Sequence, residues 1–479
     1  MSATRPWSGR RLHFIGVGGA GVSAYARAAW TLGAEVSGSD AAESPYSREL
    51  AADGVLDARI GHARENVPAG DDVEVVYSSA VPAENVERVA ARERGLAERA
   101  RAELLGELTA LRRTIAVAGT HGKTTTASMA VHALRAAGLD PGWLVGGSIG
   151  GGLPNARWSD GEWLVVEADE SDRSMLSVDV DIAVLTNVEL DHHATFTSLA
   201  ELREAFAAFL ARARAAIVVW DRPELLELAR RPASAEKLLD PTRRSPLATE
   251  PPRGVDLVPY DVPDPRLSPE GARFRWRSHE VRLAVPGAHN ALNAAAALEA
   301  ARSAGAEERA AIAGLAGFDG AGRRFQLVGE SARGARVYDD YAHHPTEVAA
   351  TLAAARTLAP SRLVAIFQPH LYSRTRLLRR EFGEALTKAD VVAVLDVYPA
   401  RERAEDHPGV SGLLIAEAAA DAAAGRPVFW LPDFDAAARV LADVLERGDV
   451  CVAMGAGDVD VLARRLVDAP AVAGGGADA

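Results

Sequence analysis

A short apolar run, Ile115-Ala-Val-Ala118, leads directly into Gly119-Thr-His-Gly-Lys-Thr-Thr-Thr126 and then into a helical pattern from Ala127 to Leu134. A strand that breaks on glycine and restarts as a helix demands a sheet to bury the strand and a helix to cover it, so the chain must build α/β layers. The same arrangement points the first backbone N–H groups of the helix at a phosphate. Lys123 sharpens this. The chain has three lysines, Lys123, Lys237 and Lys388, among 53 basic residues. Where arginine has taken nearly every basic position, a lysine kept in a glycine turn supplies what a planar guanidinium cannot, a compact ammonium between phosphate oxygens. Gly119 and Gly122 let the backbone approach an anion, Lys123 reaches the β/γ-phosphates, and the Thr124 hydroxyl can ligate Mg²⁺. Val117 departs from the general phosphate-loop pattern, which has glycine there.

The rest of the chain repeats this grammar. Leu12-His-Phe-Ile15 precedes Gly16-Val-Gly-Gly-Ala-Gly21 and an alanine-rich helix to about Leu32; Glu35–Asp40 and Val73–Tyr77 read as further strands. Strands alternating with helices give a parallel, doubly wound sheet. This unit ends near Leu111, and a second starts with the phosphate-loop strand. It holds Trp163–Glu167, Ile182–Asn187 and Ala215–Trp220, then a proline- and charge-rich, loop-like stretch between about Arg231 and Gly271. Arg273–Arg277 and Val281–Leu283 alternate as a small hairpin, and a helix follows from Asn290. After Gly317–Gly322, the strands Val337–Asp340, Leu363–Phe367, Val391–Leu395 and Val450–Met454 form a third α/β unit. Ala469–Ala479 is an Ala/Gly-rich tail read as disordered.

At 479 residues the chain is long enough for two to four domains. A net charge of -13 argues against nucleic acid or an anionic membrane as partner. The single cysteine, Cys451, sits in an apolar run and reads as a buried small hydrophobe. Met1–Arg11 lacks the apolar core of a signal peptide, and no apolar run approaches about 18 residues. The expectation is a soluble cytoplasmic protein with no membrane span.

Several strands deliver polar clusters at their ends, where open α/β sheets bind ligands. Trp163–Glu167 runs into Ala-Asp-Glu-Ser-Asp172, placing Glu167 to meet Mg²⁺ near Thr124. Thr186-Asn-Val-Glu-Leu-Asp-His-His193 offers a histidine as metal ligand or substrate contact; oxygen-ligated Mg²⁺ fits better than zinc, because no cysteine or helical His-x-x-x-His supports zinc. Asn290 and Asn293 share a helix face and suit a purine edge, while helix capping by Asn290 explains the same spacing. The third unit carries Arg323-Arg-Phe325, Asp339-Asp-Tyr-Ala-His-His-Pro345 and Phe367-Gln-Pro-His-Leu-Tyr-Ser-Arg374, whose arginines and histidines can hold a carboxylate or developing negative charge. The Gly16–Gly21 turn, with Asp40, suits a dinucleotide or another diphosphate.

In this order the motifs resemble those of the Mur ligases of peptidoglycan synthesis over nearly the whole chain, including Gly38-Ser-Asp40, Arg-Arg-Phe and the two histidine-rich motifs of the third unit. The resemblance implies an α/β protein of three domains: a Rossmann-like UDP-sugar domain (1–111), a P-loop-type ATPase domain (112–320) and a Rossmann-like amino-acid domain (321–479). It implies that ATP phosphorylates the lactyl carboxylate of UDP-N-acetylmuramate and that an amino acid, here L-alanine, attacks the acyl phosphate. The recycling ligases, which attach a preformed peptide to the same sugar nucleotide, are the nearest alternative.

By position, Gly119, Thr120, Gly122, Lys123, Thr124 and Thr125 are expected on the ATP phosphates. Thr124, Glu167 and His192 are expected at Mg²⁺, Asn290 and Asn293 at adenine, and Arg324 and Asp340 at phosphate and ribose. Tyr341, His343, His370 and Arg374 match the amino-acid site and reacting centre. Gly18, Gly19, Gly21, Ser39, Asp40, Ser78 and Ser79 match the UDP site. Lys123, His192, His343, His370 and Arg374 are the expected catalytic set, in a monomer or homodimer. Ala194, Phe196 and Leu371 depart from residues common in the family, aspartate, tyrosine and arginine. No lysine lies between Lys123 and Lys237, so the carbamylated lysine of relatives that add later amino acids has no counterpart.

Overall fold

The computed structural model describes residues 5–193, 195–230 and 254–468. Ala194, Lys237 and the Ala469–Ala479 tail lie outside the described residues. By its internal contacts the chain divides into two compact units: the chain up to Pro263 with Leu292–Phe318, and Asp264–Ala291 with Asp319 onward.

The first unit contains two sheets. One holds β1 (Arg11–Ile15), β2 (Glu35–Asp40), β3 (Arg59–Ile60), β4 (Val73–Tyr77) and β5 (Ala97–Ala100), ordered β3-β2-β1-β4-β5. Every pairing in it is parallel. The order reverses beside β1, so the ligand crevice opens beyond the end of β1, where Gly16–Gly21 turns into the Ala20–Thr31 helix.

The other sheet holds β6 (Arg113–Ala118), β7 (Gly142–Leu144), β8 (Ala156–Arg157), β9 (Trp163–Glu167), β10 (Val180–Leu185), β11 (Ala213–Trp220) and β12 (Asp256–Tyr260), ordered β12-β11-β10-β6-β9-β7-β8. β6 is central, flanked in parallel by β10 and β9. Its Thr114–Ala118 stretch is buried, as a run apolar on both faces requires. One continuous core runs through both sheets, from Phe14 and Val76 to Val166, Leu185 and Phe206.

β12 corrects the reading of Arg231–Gly271 as loop-like; its part up to Arg253 lies outside the described residues, but Asp256–Tyr260 and Arg266–Ser268 are strands. Pro259 disguised the first. Proline is tolerated there because β12 is an edge strand.

The second unit opens with a small antiparallel sheet of β13 (Arg266–Ser268), β14 (Gly271–Trp276) and β15 (His279–Leu283). The expected hairpin is its β14–β15 half. A six-stranded sheet follows: β16 (Gln326–Glu330), β17 (Arg336–Asp340), β18 (Leu363–Phe367), β19 (Val391–Val394), β20 (Val428–Trp430) and β21 (Val450–Met454), ordered β16-β17-β21-β18-β19-β20. Only the β16–β17 pair is antiparallel. Apolar cores cover both faces, and Cys451 is buried in one of them, its thiol pKa raised by burial.

Candidate functional site

The helix after β6 starts at Lys123, with Gly122 as its N-cap at φ +82° and no side chain bonded to its first N–H groups. Those groups therefore face outward for an anion. Gly119 lies at φ +133°, and a Cβ there would collide with Thr186 Oγ1. A Cβ on Gly122 would come within 2.6 Å of Asn293 Oδ1. Both glycines are required by conformation and by space.

The Thr186–Glu189 stretch braces this loop from beneath. Thr186 Oγ1 donates to His121 O at 2.6 Å, and Asn187 Nδ2 donates to the same carbonyl at 3.0 Å. His121 N donates back to Asn187 Oδ1 at 2.9 Å, and Thr120 Oγ1 donates to Glu189 O at 2.9 Å. The first half of that motif thus shapes the loop.

Lys123 Nζ donates to Gly119 O at 2.6 Å, to Thr120 O at 3.1 Å and to the fully buried Glu170 at 2.8 Å. Burial works to lower the Lys123 pKa, but the charges of Glu170 and Asp169 outweigh it and hold the ammonium protonated. His192, at φ +54°, brings Nε2 to 3.2 Å from the same Glu170. Glu167 ends β9 opposite Val117, and a Cβ on Gly146 would lie 2.8 Å from its carboxylate. On the adjacent Gly147 a Cβ would lie 3.4 Å from Thr124 Cγ2. Two consecutive glycines thus keep space beside Glu167 and Thr124, the oxygen ligands a hard divalent cation takes.

At the first turn, Gly18 N donates to Asp40 Oδ2 at 2.8 Å and Ser44 Oγ donates to Gly18 O at 2.8 Å. Gly16, at φ +84°, sits under Ser78 Cβ, while Gly19 and Ser79 are exposed. Ser39 differs from expectation. Neighbours in a strand point to opposite faces, so only one of Ser39 and Asp40 can face the turn. Asp40 does. Ser39 Oγ instead donates to the buried Glu87 at 2.7 Å. Glu87 also bonds His13 Nε2 at 2.8 Å, His62 Nδ1 at 2.8 Å and Asn66 Nδ2 at 3.1 Å. Burial alone would raise the Glu87 pKa; its four partners reverse that and hold it at about 2.

In the second unit, Asp340 ends β17 and accepts from Phe325 N, Ala342 N and Thr351 Oγ1 at 2.7, 2.8 and 3.1 Å. Burial pushes its pKa up to about 6, against the charge of Arg324. Arg324 lies over the Tyr341 ring at 4.8 Å. Rings then follow in series: Tyr341 to His343 at 5.3 Å, His343 to His370 at 5.9 Å, and His370 stacked on Tyr398 at 5.8 Å. Arg374, almost wholly buried, sets Nη1 3.1 Å from His370 Nδ1. The expected amino-acid residues are therefore one cluster. Asn290 Nδ2 donates to Pro286 O at 2.7 Å; the helix begins at Ala288, two residues earlier, so Asn290 does not cap it. Leu371 is buried at φ +70° beside Tyr398, and Phe196 is a core residue under Arg173. A tyrosine hydroxyl at 196 would lose its water there.

Sequence reasoning missed Glu170, Glu87, His62, Tyr398 and Arg101. Glu170 stood inside a motif already singled out, and its signal was position: third after the strand end, on the side of Lys123. The others carried no local signal.

Three family matches tile the chain: Mur ligase family, catalytic domain, over residues 11–113; Mur ligase middle domain over 117–301; and Mur ligase, glutamate ligase domain, over 323–457. The chain is 44% identical to the UDP-N-acetylmuramate–L-alanine ligase of Mycobacterium sp. (strain JLS), covering 96% of this chain and 95% of that one. It is equally similar, at 44%, to the enzyme of that name from Nocardia farcinica, covering 96% and 94%. Among solved structures it resembles the UDP-N-acetylmuramate-alanine ligase of Thermotoga maritima, with TM-score 0.76 and 26% identity over 95% of this chain and 98% of that one. A murein peptide ligase from Psychrobacter arcticus shares the fold at TM-score 0.69 and 24% identity over 96% and 98%.

Proposed function

The chain belongs to the Mur ligase family, and from that premise we propose that it joins L-alanine to the lactyl carboxylate of UDP-N-acetylmuramate at the expense of ATP. The observation that carries this reading is the grouping of Lys123, Thr124 and Glu167 beside the phosphate loop, in a chain that matches alanine-adding ligases from end to end.

A carboxylate is a poor acyl donor until one of its oxygens becomes part of a leaving group. Transfer of the γ-phosphoryl group to the lactyl carboxylate gives an acyl phosphate and ADP. The amine of alanine then attacks the carbonyl carbon, and the tetrahedral adduct expels phosphate to leave the amide. Little covalent chemistry falls to the protein, so positioning and charge neutralisation dominate. Lys123 spreads the charge on the transferring group. Thr124 and Glu167, with His192 alongside, would hold Mg²⁺, which would supply further neutralisation of charge on the phosphates. Gly18, Gly19, Gly21, Asp40, Ser78 and Ser79 hold the UDP handle. Asn293 lies against the loop glycine Gly122 and shares a helix with Asn290, and the two serve adenine; Arg324 and Asp340 serve phosphate and ribose. Tyr341, His343, His370 and Arg374 receive alanine and the charge of the adduct. We divide the chain accordingly into domains 1–111, 112–320 and 321–479, and place the reaction in the cytoplasm. Among the described residues no helix is long and apolar enough to cross a membrane.

Phosphate release measured with each substrate omitted tests this. Release is expected only with ATP, UDP-N-acetylmuramate and L-alanine together, and release without either partner overturns the reading. A tripeptide accepted in preference to L-alanine would move it to the recycling ligases.

A further inference from the structure

The two sheets of the first unit are joined by a cation that the reaction above does not use. Arg101 opens the Arg101–Thr109 helix directly after β5, in the half of the unit that carries the first glycine turn. Its guanidinium crosses to the acidic loop after β9. Nε donates to Asp172 Oδ2 at 2.6 Å and Nη2 donates to Asp169 Oδ2 at 3.0 Å. Its third nitrogen, Nη1, lies 3.0 Å from where a Cβ on Gly21 would stand, so Arg101 also covers the last glycine of the first turn. Asp169 immediately precedes Glu170, the carboxylate that holds Lys123 and His192.

A second polar contact crosses at the same place. Asn155 Nδ2 donates to Ala20 O at 2.8 Å and to Ser23 Oγ at 3.1 Å, gripping the first turn of the Ala20–Thr31 helix. Asn155 therefore binds the phosphate-loop half to the short segment Ala20–Ser23, and Arg101 binds that half from beside Gly21 in the same segment. A merely structural bridge would serve anywhere along the shared core. This one connects the glycine turn to the residue next to the partner of Lys123.

We propose that Arg101 is a positioning residue of the ligase reaction, fixing the sugar-nucleotide turn at a set distance from the acidic loop that holds Lys123. The idea rests on the ligase reading. In-line phosphoryl transfer needs donor and acceptor oxygens within near-attack distance, and a shift of about 1 Å costs roughly 100-fold in rate. A planar guanidinium bonded to two carboxylates sets both distance and angle; an ammonium sets neither as firmly.

The test compares kcat, both KM values and melting temperature for the wild type, Arg101→Met, Arg101→Lys and Asp172→Asn. Arg27→Met, which breaks the nearby ion pair of Arg27 with Asp53, is the control and should keep full activity. Arg101→Met is expected to lower kcat about 100-fold while KM for ATP and for UDP-N-acetylmuramate stays within about threefold. Arg101→Lys should recover part of the loss. Asp172→Asn should lower kcat about tenfold, and decides the matter if Arg101→Met does not fold. Unchanged kcat in the folded variants overturns the proposal. So does a rise in sugar-nucleotide KM alone, which would make Arg101 a direct binding contact. A wild type that does not need both substrates overturns the ligase reading itself, whereas an active wild type with equally active variants overturns only the role of Arg101.

Discussion

The two glycine turns of the first unit share a grammar and differ in what fills them. Each follows a buried parallel strand, and each opens a helix whose N-terminus no side chain caps. The first turn is closed by an acid: Asp40 already takes the Gly18 N–H. The second is filled by a cation, Lys123, held by Gly119 O, Thr120 O and Glu170 and braced below by Thr186 and Asn187. An acid-backed turn suits a handle with hydroxyl groups to bond as well as a diphosphate. A lysine-filled turn suits a phosphate whose charge changes during reaction. A strand–glycine–helix turn suits an anion, and the two turns differ in the side chain that enters them, an acid in the first and a lysine in the second.

The largest expected effect tests that division directly. Lys123→Ala should lower turnover by about 10²- to 10³-fold, while UDP-sugar affinity, read by calorimetry, stays within about threefold. Loss of both together would end the separation of the two sites. Gly119→Ala comes next. Its positive φ and the collision with Thr186 should cost about 3 kcal/mol in denaturant melts and remove ATP binding. Gly18→Ala, with a Cβ 2.9 Å from Asp40 Oδ2, should instead raise the KM for the sugar nucleotide and leave that for ATP alone.

The two turns should also respond differently to acid. Glu87 braces the first sheet with a pKa lowered from 4.5 to about 2. A depressed carboxylate stabilises the fold fully above 4.5 and loses that contribution as pH falls through about 2; the shift corresponds to roughly 3 kcal/mol. Hydrogen-exchange protection factors in β1 and β2, taken against the intrinsic rate at each pH, should therefore fall between pH 4.5 and 2, and Glu87→Gln should flatten that dependence. An unchanged slope in the variant would detach Glu87 from the stability of the first turn. The smallest effect is Ser44→Ala. Ser44 caps the Pro45–Ala52 helix and bonds Gly18 O, so its loss should cost about 1 kcal/mol.

Much of the molecule was legible beforehand because its signals are local. Buried parallel strands are short continuous apolar runs, and β6, β9, β10, β18 and β21 read that way. The phosphate loop announced itself through glycine, lysine and threonine at fixed spacing. β12 was lost because Pro259 resembles a loop signal until an edge position excuses it. Gly-Ser-Asp reads as one motif in the sequence, although strand alternation sends Ser39 and Asp40 to opposite faces and turns Ser39 to Glu87.

The sequence by itself determined the α/β class, the two glycine turns and the place of Lys123 in the second of them, since each depends on residues within about ten positions of one another. Only the tertiary structure decided that Thr186 and Asn187 brace the loop, that Glu170 holds Lys123 and that Arg101 reaches Asp169 and Asp172. Those partners lie 47 to 71 residues apart in the chain. Which of many acids an arginine meets at that separation depends on how strands order themselves in a sheet. That order follows from packing of the whole core, and no local pattern encodes it.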